Sequence, residues 1–292
     1  HYRHVDVALD GPARTATITV SAPRAQEPTD LAGIHDRGAS WWPLTMAREL
    51  DDAVLMLRAN HADIGTWLLR TRGSVERILT LDEALVRHGS DWFVREVVGM
   101  LRRTFARLEV SSRTLFAILD NGSCFAGTLF ELALAADRAY MRDAPEEPDA
   151  PRLALSPSNF GCYPTVAHSD RLSARFYGEA TPLANVRAAV GRSLDAREAL
   201  ELGLVTAAPD ALDWDDEIRV AVEERTSLSP DALTGMEASL RFGTAETMET
   251  RIFGRLSAWQ NWIFSRPNAV GEAGALKVFG TGSKAGFDWQ RV

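Results

Sequence analysis

The residues with most chemical potential share one stretch, NGSCFAGTLFELALAAD, from Asn121 to Asp137. A thiol, Cys124, stands near its start, and a carboxylate, Glu131, follows Gly127 by one helical turn. The pattern predicts a strand ending at Asp120, a turn through Gly122, Ala126 and Gly127, and then a helix. The first N–H groups of a helix have no internal partners, and the helix dipole favours negative charge there. Small residues let a ligand approach that backbone closely. Such a turn supplies half of an oxyanion hole, and Glu131 is placed to act as acid or base beside it. The structural alternative is plainer: Gly127 packs a helix on a sheet and Glu131 is an ordinary helix carboxylate. Cys124 divides the same way, between a small buried hydrophobe and a thiol activated at a helix N-terminus.

Other candidates carry less. None of the six histidines forms HExxH or another metal-ligand spacing, so no metal site is expected. His168 stands beside Asp170 and reads as a surface or helix-capping residue. The run GTGSKAG lacks the Walker spacing, although Lys277 and Lys284 remain candidates for phosphate contacts. Trp259, Trp262 and Ile263 read as core or subunit contact.

The elements that must position these groups follow from periodicity. In ARTATITVS, Ala16, Ile18 and Val20 share one face of a strand. PLTMARELDDAVLMLRAN reads as a helix, IGTWLLRTRG as a buried strand closed by Gly73, and Leu81 to Leu108 as helix. RTLFAILDNG is a further apolar strand, Glu131 to Tyr140 a helix, and PRLALSPSNFG a short strand with a loop. In SLDAREALELGLVT, Asp195 and Glu198 form a capping box and Gly203 a helix stop. After Ser229-Pro230 the tail reads as helices, including a long one from Ala245 to Phe264. Strands alternating with helices, then helices alone, predict an α/β core over 1–227 and a helical region over 228–292.

Composition narrows the function classes. The 292 residues are 46% hydrophobic and 25% charged, ordinary for a globular chain. A net charge of -8 without a basic stripe argues against nucleic acid as a partner. No apolar run approaches the ~20 residues of a membrane span. Two cysteines without a CxxC pair fit a reducing cytoplasm. The first residue is histidine, so the chain reads as a piece of a longer polypeptide.

DNGSCFAGTLFELALAAD resembles the crotonase (enoyl-CoA hydratase/isomerase) signature, in which a strand runs into Asn-Gly, a glycine-rich turn, a helix with ELA, and Asp. SLDAREALELGLVT is similar to the family's later helix and turn leading to Gly-Leu-Val. The resemblance implies a crotonase-like β/α spiral core with a C-terminal helical region. It also implies an oxyanion hole near Ile78 and Gly127, with Glu131 as catalytic carboxylate. WFVREV, SCFAGTLFELALAADRAYM, LALSPSNFG and GALKVFGTGSKAGFDW further resemble the C-terminal half of the benzoyl-CoA-dihydrodiol lyase family. Members of that family have two crotonase-like halves. That likeness implies ring opening of a benzoyl-CoA epoxide or dihydrodiol to an aliphatic CoA semialdehyde and formate. No cofactor is implied beyond the CoA of the substrate. The implied partners are the CoA thioester, the other half of the polypeptide and further copies in a homodimer or other homo-oligomer.

The departures from the signature define the alternative. Ser158 or Asn159 stands where the family's second glutamate is expected, and neither replaces a carboxylate as a base. The turn at RTRGSVERILTLD lacks the family's Ala-Gly-Xaa-Asp. Cys124, Ser158 and Asn159 are therefore secondary site candidates, and a catalytically silent half supporting the other half's site is the rival reading.

Overall fold

The computed structural model describes residues 2–242 and 246–290. Strand β1 (Val5–Asp10) pairs antiparallel with β2 (Thr15–Ser21). Helices α1 (Leu31–Arg37) and α2 (Trp42–Asn60) then lead to β3 (Thr66–Arg72), parallel to β2. Helices α3 (Val75–Arg87) and α4 (Trp92–Glu109) precede β4 (Thr114–Leu119), and α5 (Gly127–Leu134) precedes β5 (Arg138–Met141). Spatial order follows chain order, β1-β2-β3-β4-β5, with every pair after the first parallel.

β4 is apolar almost throughout because both its faces are covered. Leu115, Ala117 and Leu119 join the main core, whereas Phe116 and Ile118 pack with Trp214 and Ala221 on the opposite face. The strand register sets Leu115 beside Trp67 and Ala117 beside Leu69.

Beyond the sheet lie β6 (Leu153–Ala154), α6 (Arg171–Arg175), α7 (Ala180–Ala188), β7 (Ser193–Leu194) and α8 (Ala196–Glu201). The longer helices α9 (Trp214–Thr226) and α10 (Pro230–Arg241) follow. Asp195 and Glu198 cap α8 reciprocally, and Gly203 stops it with a φ of 70°.

Three expectations need correction. The helix expected over Leu81 to Leu108 is two helices, parted at His88–Ser90, with Asp91 capping the second through Phe93 and Val94. The helix expected over Glu131 to Tyr140 ends at Leu134, because Arg138–Met141 pairs with β4 as an edge strand. The long terminal helix begins, in its described part, only near Met248, and its expected start at Ala245 lies outside the described residues. Thr250–Leu256 winds as a π-helix before α11 (Ser257–Ile263). The chain closes with α12 (Pro267–Val270) and α13 (Ala275–Val278).

Candidate functional site

β4 delivers the chain into the turn Asp120–Ala126, and α5 starts at Gly127, as the small residues require. Gly127 has a φ of 42°, which disfavours a side chain. A Cβ there would also lie 1.8 Å from Asp82 Oδ2. The glycine is thus demanded by the close approach of a carboxylate from α3.

That carboxylate occupies the N-terminus of α5. The Thr128 N–H donates to Asp82 Oδ2 over 2.9 Å, and the Thr128 hydroxyl donates to Oδ1 over 2.5 Å. Ser156 Oγ donates to Oδ2 over 2.6 Å. The Thr128 hydroxyl also meets the Tyr163 hydroxyl at 2.8 Å. Desolvation raises the Asp82 carboxyl to about 6, even though these donors pull it down. Asp82 sits on the buried side of α3 with Ile78, Leu81 and Leu85. Ile78 itself is the fourth residue of α3, after the cap Ser74. A regular helix directs an N–H at that position to the cap residue's carbonyl.

Glu131 is equally enclosed, with 1% of its surface exposed. Its Oε1 accepts Asn159 Nδ2 over 2.7 Å, and its Oε2 accepts Arg171 over 2.8 Å. The same Arg171 guanidinium pairs with Glu109 at 2.7 Å and donates to the Tyr163 carbonyl. Burial raises the Glu131 carboxyl to about 7, against the pull of Arg171 and Asn159. Asn159 Nδ2 also donates to the Gly127 carbonyl, and its Oδ1 accepts the Ser156 N–H. The structure therefore brings Glu131, Gly127 and Asn159 together. Ser158 is buried in the same 3-10 turn, Pro157–Asn159.

Cys124 lies apart from this cluster. Its N–H donates to Thr71 Oγ1, it is fully buried, and burial pushes its thiol up to about 11. Asp170 caps α6 through Ser173. Lys277 pairs with Glu272 on the surface and Lys284 is exposed. Trp259 packs on Gly235 and stacks edge-on with Trp262. No group of three or more His, Cys, Asp or Glu among the described residues is arranged to hold a metal ion. No helix among them is long and apolar enough to cross a membrane.

Sequence reasoning passes over Asp82, Ser156, Tyr163, Arg171 and Glu109. One signal is present: Asp82 follows Ile78 by four residues and precedes Leu85 by three, which puts a carboxylate on the apolar face of α3.

Solved structures share this fold. An enoyl-CoA hydratase from Geobacillus kaustophilus HTA426 matches with a TM-score of 0.70 at 14% identity, covering 99% of this chain and 98% of that one. The chain has the crotonase fold. An enoyl-CoA hydratase from Bacillus anthracis matches with a TM-score of 0.67 at 18% identity, over 98% of this chain and 99% of that one. No protein-family profile matches the chain. A benzoyl-CoA-dihydrodiol lyase from Aromatoleum evansii is 59% identical over all 292 residues, which cover 52% of that protein. The chain thus spans about half the length of the curated relative that it matches.

Proposed function

We propose that this chain is the catalytically silent crotonase-fold half of a lyase acting on a CoA thioester. It packs against and supports the half that holds the reaction, within a homo-oligomer. The whole polypeptide opens the ring of a benzoyl-CoA epoxide or dihydrodiol to an aliphatic CoA semialdehyde and formate. It uses no cofactor beyond the CoA of its substrate. The likeness to the Aromatoleum lyase supports the substrate class.

One observation carries the silent reading: the carboxylate of Asp82 takes both donors of Thr128, in the first turn of α5. An oxyanion hole needs N–H groups ~2.7–3.1 Å from the oxygen that gains charge. Here Thr128 N–H already spends itself on a protein oxygen at 2.9 Å. A thioester oxyanion placed beside it would meet a second negative charge in a dry site, which is repulsive.

A second reading rests on Glu131, whose carboxyl near 7 suits general acid–base work at neutral pH. Buried structural ion-pair networks shift carboxyls in the same way. Both Glu131 oxygens are taken by protein donors, Asn159 and Arg171.

Turnover of the full polypeptide at saturating substrate separates the readings. Glu131→Gln keeps the shape and is expected to stay within about twofold of wild type. A loss of ~10²–10⁴, the usual cost of removing a positioned acid or base, would overturn the silent reading. Asp82→Asn, measured alongside, is likewise expected to leave turnover unchanged. Circular dichroism confirms that each variant is folded.

A further inference from the structure

A cavity of about 300 Å³ opens at the other end of α5, lined by Leu134, Leu240 and five charged side chains. Those charges are Glu109, Asp137, Arg171, Arg175 and Arg241. We propose that this cavity binds a small molecule through a single carboxylate, held by Arg175 and Arg171. Such binding is independent of whether this half is catalytic.

The three guanidinia differ in their partners. Arg241 is satisfied: it pairs with Asp137 at 2.8 Å and donates to the carbonyls of Glu109 and Arg113. Arg171 is 3% exposed, and its Nε has no hydrogen-bond partner among the described residues. Its other nitrogens serve Glu131, Glu109 and the Tyr163 carbonyl. Arg175 donates from Nε to the Gly203 carbonyl, and no carboxylate lies within ion-pair distance of it among the described residues. Burial lowers its pKa. A half-buried guanidinium without a counter-charge is costly and invites one.

The charge balance selects the ligand. Glu109 and Glu131 share the Arg171 guanidinium, and burial raises both carboxyls, Glu131 to about 7. Glu109 and Glu131 are taken up by Arg171, and Asp137 by Arg241, which leaves Arg175 as the guanidinium of this cavity with no carboxylate partner among the described residues. A monoanion neutralises it, whereas a dianion is repelled by Glu109 and Asp137. Arginine forks match a carboxylate with two parallel hydrogen bonds. Leu134 and Leu240 offer apolar wall to a short carbon chain, and the volume lies at the lower end of small-molecule sites.

The test is a calorimetric titration of the full-length protein with sodium acetate at pH 6.0, with ionic strength held constant by sodium chloride. Saturable one-to-one binding with a Kd on the order of 1 mM is expected, a value typical of one charge-assisted contact set. Arg175→Met, which keeps the aliphatic stem, should weaken binding about tenfold or more. Leu240→Trp narrows the mouth from an exposed position and removes no charged group, and should weaken it as well. It decides the matter alone if Arg175→Met fails to fold. Absence of saturable binding, or equal binding by wild type and Leu240→Trp, overturns the site. Tighter binding of sulfate, a dianion at this pH, than of acetate overturns the single-carboxylate assignment.

Discussion

Replacing Asp82 by Asn makes the closure of the α5 N-terminus measurable. The Asp82 carboxyl is raised to about 6 by burial, against ~3.9 in an unfolded chain. The sign follows from proton counting. Between those values the folded state holds more protons than the unfolded one, so stability falls as pH rises through the interval. Below pH ~4 both states are protonated and the group costs nothing. Above pH ~6 the folded protein carries a buried charge at a cost of about 3 kcal/mol, since each pH unit between the two values is worth ~1.4 kcal/mol. Asparagine removes that charge while its oxygen still accepts from Thr128 and Ser156. Wild type therefore loses stability relative to Asp82→Asn by up to ~3 kcal/mol between pH ~3.5 and ~7.5. At roughly 2–4 °C per kcal/mol, the difference in Tm shifts by about 6–12 °C. Thermal unfolding of both proteins at four pH values across that range provides the assay. A Tm difference constant within ~2 °C would refute the reasoning. It would mean that Asp82 titrates normally, that water reaches it, and that the α5 N-terminus is open to a ligand after all.

The remaining predictions concern neighbouring groups. Gly127→Ala forces a side chain onto a φ of 42° and to within 1.8 Å of Asp82 Oδ2, so it should cost about 2–4 kcal/mol in denaturant unfolding. Adding Asp82→Gly should return part of that loss, and additivity of the two changes would refute the contact. In the folded chain Cys162, half-buried, should react with a disulfide reagent well before Cys124, whose thiol is buried and pushed up to about 11. Faster labelling of Cys124, read by peptide mass spectrometry, would show that the turn Asp120–Ala126 is open.

What the sequence makes legible depends on how local the signal is. The capping box at Asp195 and Glu198 and the stop at Gly203 need only neighbouring residues, and both are present in the structure. β4 announces itself because a strand covered on both faces is apolar throughout. The residues Arg138 to Tyr140 read as helix, yet the strand Arg138–Met141 forms by pairing with β4, which outweighs local pattern. The break between α3 and α4 has a local signal, Gly89 followed by the cap Asp91, that the apolar pattern on either side of it outweighs in the sequence reading. For the candidate site, Gly127, Glu131 and Asn159 are legible as members of one cluster. The partners of Glu131 are not: Arg171 is 40 residues away along the chain, and no local spacing records that meeting.

The crotonase-like turn at Gly127 acquires a different physical meaning from this arrangement. A glycine at the start of a helix lets a ligand reach the backbone, but it serves a side chain of the same protein equally well. Here the visitor is Asp82, which Thr128, Ser156 and, one step further, Tyr163 hold in place. Glu131, one turn along, is held by Asn159 and Arg171 in the same way. These hydrogen bonds favour one arrangement of the core, although Arg171 Nε and Ser158 Oγ have no hydrogen-bond partner among the described residues. Catalysis asks the opposite of such groups, since a donor or an acceptor must be left free for the substrate. On the proposed reading, the glycine, the threonine and the carboxylate of this stretch serve the packing of α3, α5 and the turn at Ser156 against one another. A signature of this kind reports the fold, and only an unspent donor beside it would report the chemistry.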